Sequence, residues 1–170
     1  MRILIADTET TGLEPTAQIC ELAFLEVDED MHVLYEFESL VKPSVPITPG
    51  ASAVNGITDD MVADAPTIFD ILTQHAPGYF DNVSLCAHNA SFDRRMLSPH
   101  WGITRAVCTY QLARRVWPRA PSHKLENLRT WLDLDVPHGA HRAMVDTIAV
   151  YELLSRILEE TNQSLGGVGR

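Results

Sequence analysis

Ile3-Leu4-Ile5-Ala6-Asp7-Thr8-Glu9-Thr10-Thr11-Gly12 decides how the rest of the chain reads: four apolar residues, then two carboxylates two positions apart, then a glycine. The run at residues 3–6 has the length and composition of a short buried strand. Residues two apart on a strand project to the same face, about 6.5 Å apart along the chain, so Asp7 and Glu9 are spaced to share one metal ion. Gly12 relieves the backbone as the strand ends and lets a ligand approach the main chain closely. Taken alone, the same residues also describe a polar turn after an edge strand, where acids and threonines are ordinary.

Working outward, residues 19–27 and 33–41 read as the next two strands. The connections are short, which favours antiparallel neighbours, because a parallel crossover needs a dozen or more residues. The chain therefore opens as a three-stranded meander. Residues 42–50, KPSVPITPG, hold three prolines and a glycine and read as a loop. Thr58 is placed to cap a short helix whose positive end suits Asp59 and Asp60. Residues 67–80 carry Ile68, Phe69, Ile71, Leu72 and Ala76 at near-helical spacing.

The second half alternates: strand 83–87, helix 90–97, strand 106–108, then helix 109–117 stopped by Pro118, with further helices at 125–132 and 143–158. Alternation adds parallel strands to the meander. The expected fold class is α/β, with a mixed five-stranded central sheet flanked by helices. The expected organisation is a single domain over residues 1–162, followed by a flexible tail at 163–170, where three of the last five residues are glycine. There is no internal repeat.

The length of 170 residues suits one domain, and 45% hydrophobic with 21% charged residues is an ordinary globular composition. The formal net charge of −10 opposes the simplest picture of a nucleic-acid binder. A pair of divalent cations, however, returns about four positive charges where a phosphate would sit. Cys20, Cys86 and Cys108 lie among apolar residues without a CxxC spacing and are expected as buried, reduced thiols. The first residues, MRILIAD, fit neither a signal peptide nor a membrane span, so a cytoplasmic location and no membrane partner are expected.

A second acid sits like the first. In Ala87-His88-Asn89-Ala90-Ser91-Phe92-Asp93 the aspartate again falls just past a short buried strand. A third element, His141-Arg142-Ala143-Met144-Val145-Asp146, precedes an apolar helix. Five positions on an ideal helix rotate by about 140°, so His141 and Asp146 cannot both be helical and face one site. His141 belongs in the loop before the helix, and an unperturbed pKa of about 6.5 suits a group that activates water. Carboxylate ligands without paired cysteines favour Mg²⁺ or Mn²⁺ over zinc.

These three motifs resemble the DEDD superfamily of 3′-to-5′ exonucleases, DnaQ-like, in the DEDDh branch with a histidine five residues before the last aspartate. The likeness runs over nearly all of the chain and includes residues 19–23, VNGIT at 54–58 with Asn55 where a histidine is common, and Cys108-Thr109. It implies an RNase H-like fold and two Mg²⁺ ions, with Mn²⁺ able to substitute. It also implies that Asp7, Glu9 and Asp146 hold the first ion, that Asp7 bridges to the second, and that Asp93 positions the attacking water. His141 is implied as general base. The implied products are nucleoside 5′-monophosphates.

For the substrate, Thr10, Thr11 and Gly12 are expected to offer backbone donors to the terminal nucleotide, with Leu13 wedged against its base. His88, Asn89 and Phe92 are further candidate contacts. Arg94, Arg95, Arg114 and Arg115 form two basic pairs that either track phosphates or make solvated helix faces. The expected partner is DNA at 3′ ends, single-stranded or frayed, with RNA as an alternative and a polymerase or a second copy as a further partner. A scaffold that binds without cutting is the reading from another class; it is disfavoured because all five reactive groups are present.

Overall fold

The apolar run at residues 3–6 extends into a nine-residue strand, β1 (Arg2–Thr10), so Asp7 and Glu9 lie inside the ladder and not in a turn beyond it. The computed structural model describes residues 2–137, 142–165 and 167. β1 pairs antiparallel with β2 (Ile19–Val27), and β2 with β3 (Val33–Leu40), giving the expected meander. On its other side β1 pairs parallel with β4 (Val83–Ala87), and β4 with β5 (Ile103–Cys108). The order β3-β2-β1-β4-β5 makes a mixed five-stranded sheet with β1 at its centre.

Because successive strand residues alternate faces, β1 feeds two separate cores. Leu4 and Ala6 pack with Leu22 and Phe24 against α3 (Ile68–Thr73) and α4 (Ser91–Leu97). Ile5 packs with Ala23 and Leu25 against Met144, Val150 and Leu154 of α7 (Ala143–Thr161). The same alternation sends Asp7 and Glu9 towards α7 and Thr8 towards α4. Outside α7, the helices α5 (Thr109–Val116) and α6 (Leu125–Trp131) close a third cluster on Leu153 and Ile157.

Several elements depart from expectation. The proline-rich stretch contains the start of α1 (Pro49–Asn55): Pro49 occupies the first turn, where its missing N–H costs nothing, and the Thr48 hydroxyl accepts from the Ala51 amide. Gly56 ends that helix at φ 72°, the left-handed conformation a C-terminal glycine supplies. Thr58 does precede α2 (Asp59–Val62), but its side chain makes no capping bond. The helix expected over 67–80 ends at Thr73, since Pro77 lacks the amide to continue it and Gly78 turns at φ 77°. β5 begins at Ile103, three residues earlier than expected, because pairing with β4 carries it through the polar Thr104 and Arg105.

Cys20 and Cys86 are buried and Cys108 is half-buried, all as free thiols. Within the stretch 163–170, Leu165 is buried in the cluster on α7. Among the described residues no helix is long and apolar enough to cross a membrane.

Phe24 is fully buried, stacked on Phe37 at 5.1 Å and met edge-on by Phe80 and Trp101. Phe24→Ala is expected to cost about 3–5 kcal/mol of stability, read as a lowered urea midpoint with an unchanged slope.

Candidate active site

Asp7 and Glu9, two apart on β1, are joined by Asp146 from the first turn of α7. Each offers one carboxylate oxygen, and these oxygens lie within 4.8 Å of one another. Asp146 is there because Ala143, which leads α7, is buried against the sheet face carrying Ile5 and Ala23. Arg129 of α6 reaches Asp146 at 3.8 Å and donates to the Pro137 carbonyl at 2.8 Å.

Asp93 arrives from the opposite face. It lies buried in the first turn of α4, and its Oδ1 accepts from the Thr8 amide at 3.2 Å and the Thr8 hydroxyl at 3.0 Å. It stands outside the trio of converging oxygens, yet close enough to Asp7 for the two charges to repel. The wall between the two faces is a single strand.

Burial is the chief cause of the electrostatics here, and mutual repulsion adds to it. Loss of solvent, then Asp93, Asp146, Glu9 and Glu21, push the Asp7 carboxyl well above the usual range. Burial, then Asp146 and Glu21, raise Glu9 to about 7 against the relief of a hydrogen bond from Asn55. Burial raises Asp93 to about 7 despite the bonds from Thr8. Hard oxygen donors that resist ionising together are the donor set a divalent cation satisfies.

Beside Glu9 lies an open cavity of about 460 Å³, lined among others by Thr10, Leu13, Val54, Asn55 and Phe92. Leu13 stands 78% exposed at its edge. Asn55 is buried, donating from Nδ2 to the Thr10 carbonyl at 3.3 Å and accepting at Oδ1 from the Ile57 amide at 3.0 Å. The sequence gives no sign of its part in the cavity beyond its place in the VNGIT stretch, since its partner Thr10 lies 45 positions away.

Other sites take different places from those expected. The Thr11 amide donates to the Gln18 carbonyl at 2.9 Å, closing the turn into β2, and so is no free donor for a nucleotide. Thr10 uses its hydroxyl on the Gly12 carbonyl at 2.8 Å. Both His88 ring nitrogens are engaged: Nε2 donates to the His123 carbonyl at 2.9 Å, so Nδ1 accepts from the Thr109 hydroxyl at 3.0 Å. His88 thus ties the end of β4 to α5, and burial lowers its pKa. Asn89 is exposed in a left-handed turn at φ 62°. Arg95 lies 5.2 Å over the Phe92 ring and Arg114 5.9 Å over Tyr110, while Arg94 and Arg115 are exposed. His141 lies outside the described residues.

A carboxylate cluster at the central strand of a mixed β3-β2-β1-β4-β5 sheet defines an RNase H-like fold of the nuclease type. Residues 4–154 match the RNase_T family, described as exonuclease. The chain is 39% identical over 157 residues to exodeoxyribonuclease 10 of Escherichia coli (strain K12), covering 91% of this chain and 67% of that protein. That likeness agrees with a closer resemblance to exodeoxyribonuclease X carried by AHNASFDRR at 87–95 and LARRVWP at 112–118. It is also 31% identical to the PolC-type DNA polymerase III of Bacillus subtilis (strain 168), of which it spans only 11%. Among solved structures, exonuclease X in complex with 5′ overhanging duplex DNA superposes with a TM-score of 0.81 at 35% identity, covering 98% of this chain and 96% of that one. E. coli exonuclease I with a dT13 oligonucleotide shares the fold at 17% identity and a TM-score of 0.77, covering 95% of this chain and 42% of that one. The chain belongs to the RNase_T exonuclease family, within the DnaQ-like DEDD superfamily.

The raised carboxyl pKa values have a consequence for stability. The unfolded chain releases these protons near the ordinary values of 3.8 and 4.5, whereas folded Asp93 and Glu9 hold them to about 7. Folding is therefore penalised increasingly as pH rises from about 4 to about 7, and the part of the penalty due to Asp93 and Glu9 is constant above that. In the presence of chelator, Asp7→Asn is expected to raise the melting temperature at pH 7.5 and to reduce its fall across this window. A melting temperature unchanged or lowered by the substitution at pH 7.5 contradicts the repulsion described.

Proposed function

We propose that this chain is a metal-dependent 3′-to-5′ exonuclease that removes nucleotides from the 3′ end of DNA, single-stranded or frayed. The observation that carries the reading is the meeting of Asp7, Glu9 and Asp146 oxygens within 4.8 Å, with Asp93 near enough on the other face to repel Asp7. Asp7, Glu9, Asp146 and Asp93 would hold two Mg²⁺ ions, or Mn²⁺ in their place. When bound, such ions stabilise the attacking and the leaving oxygen of an in-line displacement at phosphorus.

The chain's own groups do the rest. Water attacks the phosphorus of the last phosphodiester, the bond to the 3′ oxygen of the penultimate nucleotide breaks, and a 5′-monophosphate leaves. His141 takes the proton of the attacking water, and Asp93 orients that water. The terminal base enters the cavity beside Glu9, between Leu13, Val54 and Phe92. Arg95, above the Phe92 ring, would supply a cation for the phosphates of the incoming strand. Thr10 and Gly12 shape the floor of the cavity. The exonuclease domain spans residues 1–162, and the proposed hydrolysis assigns no role to residues 163–170.

A second reading follows from polymerase relatives: the 31% identity to part of a PolC-type polymerase favours a proofreading role beside a polymerase. Activity of the isolated chain separates the two readings.

The test is degradation of 5′-labelled and 3′-labelled DNA and RNA of one sequence with Mg²⁺, Mn²⁺ or chelator. Expected are a ladder from the 5′-labelled DNA, immediate release of mononucleotide from the 3′-labelled DNA, and no activity with chelator. Asp7→Ala is expected to reduce turnover to background with the fold retained, and His141→Ala to lower kcat by about 10²–10⁴-fold. Unchanged turnover in Asp7→Ala removes the mechanism.

A further inference from the structure

Glu21 of β2 stands directly opposite Glu9 of β1 and is 0% exposed. A carboxylate withdrawn from water is tolerated only with charged or hydrogen-bonding partners. Its hydrogen-bond partners among the described residues come from the entrance to α7. Arg142 donates to Oε1 from Nε at 2.9 Å and from Nη2 at 2.6 Å, and from Nε to Oε2 at 3.2 Å. The amide of Ala143, the first residue of α7, donates to Oε2 at 2.8 Å.

Arg142 occupies the N-cap of α7, yet its side chain caps nothing there. Glu21 fills that function from a different element, and its charge also complements the positive end of the helix. The Asp146 amide donates to the Arg142 carbonyl at 3.0 Å, so where Arg142 is held, Asp146 follows one turn later. One carboxylate thus joins the strand position facing Glu9 to the helix turn that carries Asp146. The location works against the charge economy of the cluster, because Glu21 is itself among the groups repelling Asp7 and Glu9.

We propose that Glu21 and Arg142 are positioning residues: together they set the gap between the Glu9 and Asp146 carboxylates, and through it the affinity of the site for its divalent ion. The proposal rests on the metal-dependent nuclease reading above. The proposal assigns neither side chain a contact with substrate. Arg142 also directly follows His141 in sequence, so the same clamp fixes the backbone one peptide bond beyond the base.

The test compares wild type with Glu21→Gln, Arg142→Ala and Arg142→Lys. Mn²⁺ binding is measured by calorimetry, and kcat, KM for single-stranded DNA and the Mg²⁺ concentration for half-maximal rate by assay. Folding is followed by urea denaturation. Glu21→Gln and Arg142→Ala are expected to weaken Mn²⁺ binding and raise the half-maximal Mg²⁺ by about 10–100-fold, the range for groups that orient metal ligands. KM for DNA is expected to stay within about twofold. Arg142→Lys keeps the charge without the two-pronged geometry and is expected to recover only part of the affinity.

Folded variants that bind Mn²⁺ as wild type does overturn the proposal, whatever their activity. Should Glu21→Gln not fold, the two substitutions at Arg142, whose side chain is 46% exposed, decide the matter. A wild-type chain that binds Mn²⁺ but hydrolyses no DNA refutes the proposed function and leaves the binding comparison to judge the clamp.

Discussion

The pleat of one central strand governs this molecule. β1 pairs with β2 over residues 3–10 and with β4 over residues 2–5, so its side chains can go only above or below the sheet. Ile5 and its neighbours bury one face under α7, while Leu4 and Ala6 bury the other under α3 and α4. Once those apolar residues settle the register, Asp7, Thr8 and Glu9 have no freedom left. A slip of one residue would turn the acids towards α4 and Thr8 towards Asp146, and neither half of the cluster would survive.

That arrangement opposes the usual economy of folding. Burying carboxylates beside one another raises their pKa values and penalises the folded state at neutral pH. The surrounding structure compensates in part: Asn55 serves Glu9, Thr8 serves Asp93, Arg129 approaches Asp146, and Arg142 pairs with Glu21. What compensation remains wanting is what a divalent cation, if bound as proposed, would supply. The large apolar clusters on both faces provide the stability against which such local strain is tolerated.

Much of this was legible in the chain. The meander, the alternation of strand and helix after it, and the sheet that follows depend on apolar runs and short links, which are local signals. The acids were picked out for the same reason, each following a short apolar run or standing at the start of an apolar helix. The helix α1 was hidden because prolines that usually break a helix also begin one, and only the position of Pro49 after Thr48 separates the two cases. The shortened α3 reflects apolar spacing that continues past Thr73 while Pro77 forbids the backbone from following it. The engagement of the Thr11 amide by Gln18, and of His88 by Thr109 and His123, rests on tertiary contacts that no spacing announces. Glu21 reads as one of two acids in a strand of otherwise apolar residues, and its partner Arg142 lies 121 positions away.

The location of the cluster follows from the direction of the chain. β1 and β4 run parallel, so their carboxyl ends emerge on the same edge of the sheet. The helix that follows β4 is α4, and Asp93 lies in its first turn; α7 points its own first turn, with Asp146, at the same edge. The N-terminus of a helix carries unpaired amides and a partial positive charge, which favours acids in the first turn by about 0.3–1 kcal/mol each at exposed sites. The two acids that arrive from helices therefore enter the cluster at positions where negative charge is least costly. The two that arrive from β1 have no such help, and these are the ones that the alternating pleat must hold in place. With cations bound there as proposed, an acidic chain would present a localised positive site to a polyanion, because the charge that matters would be the one at the end of β1 and not the total of −10.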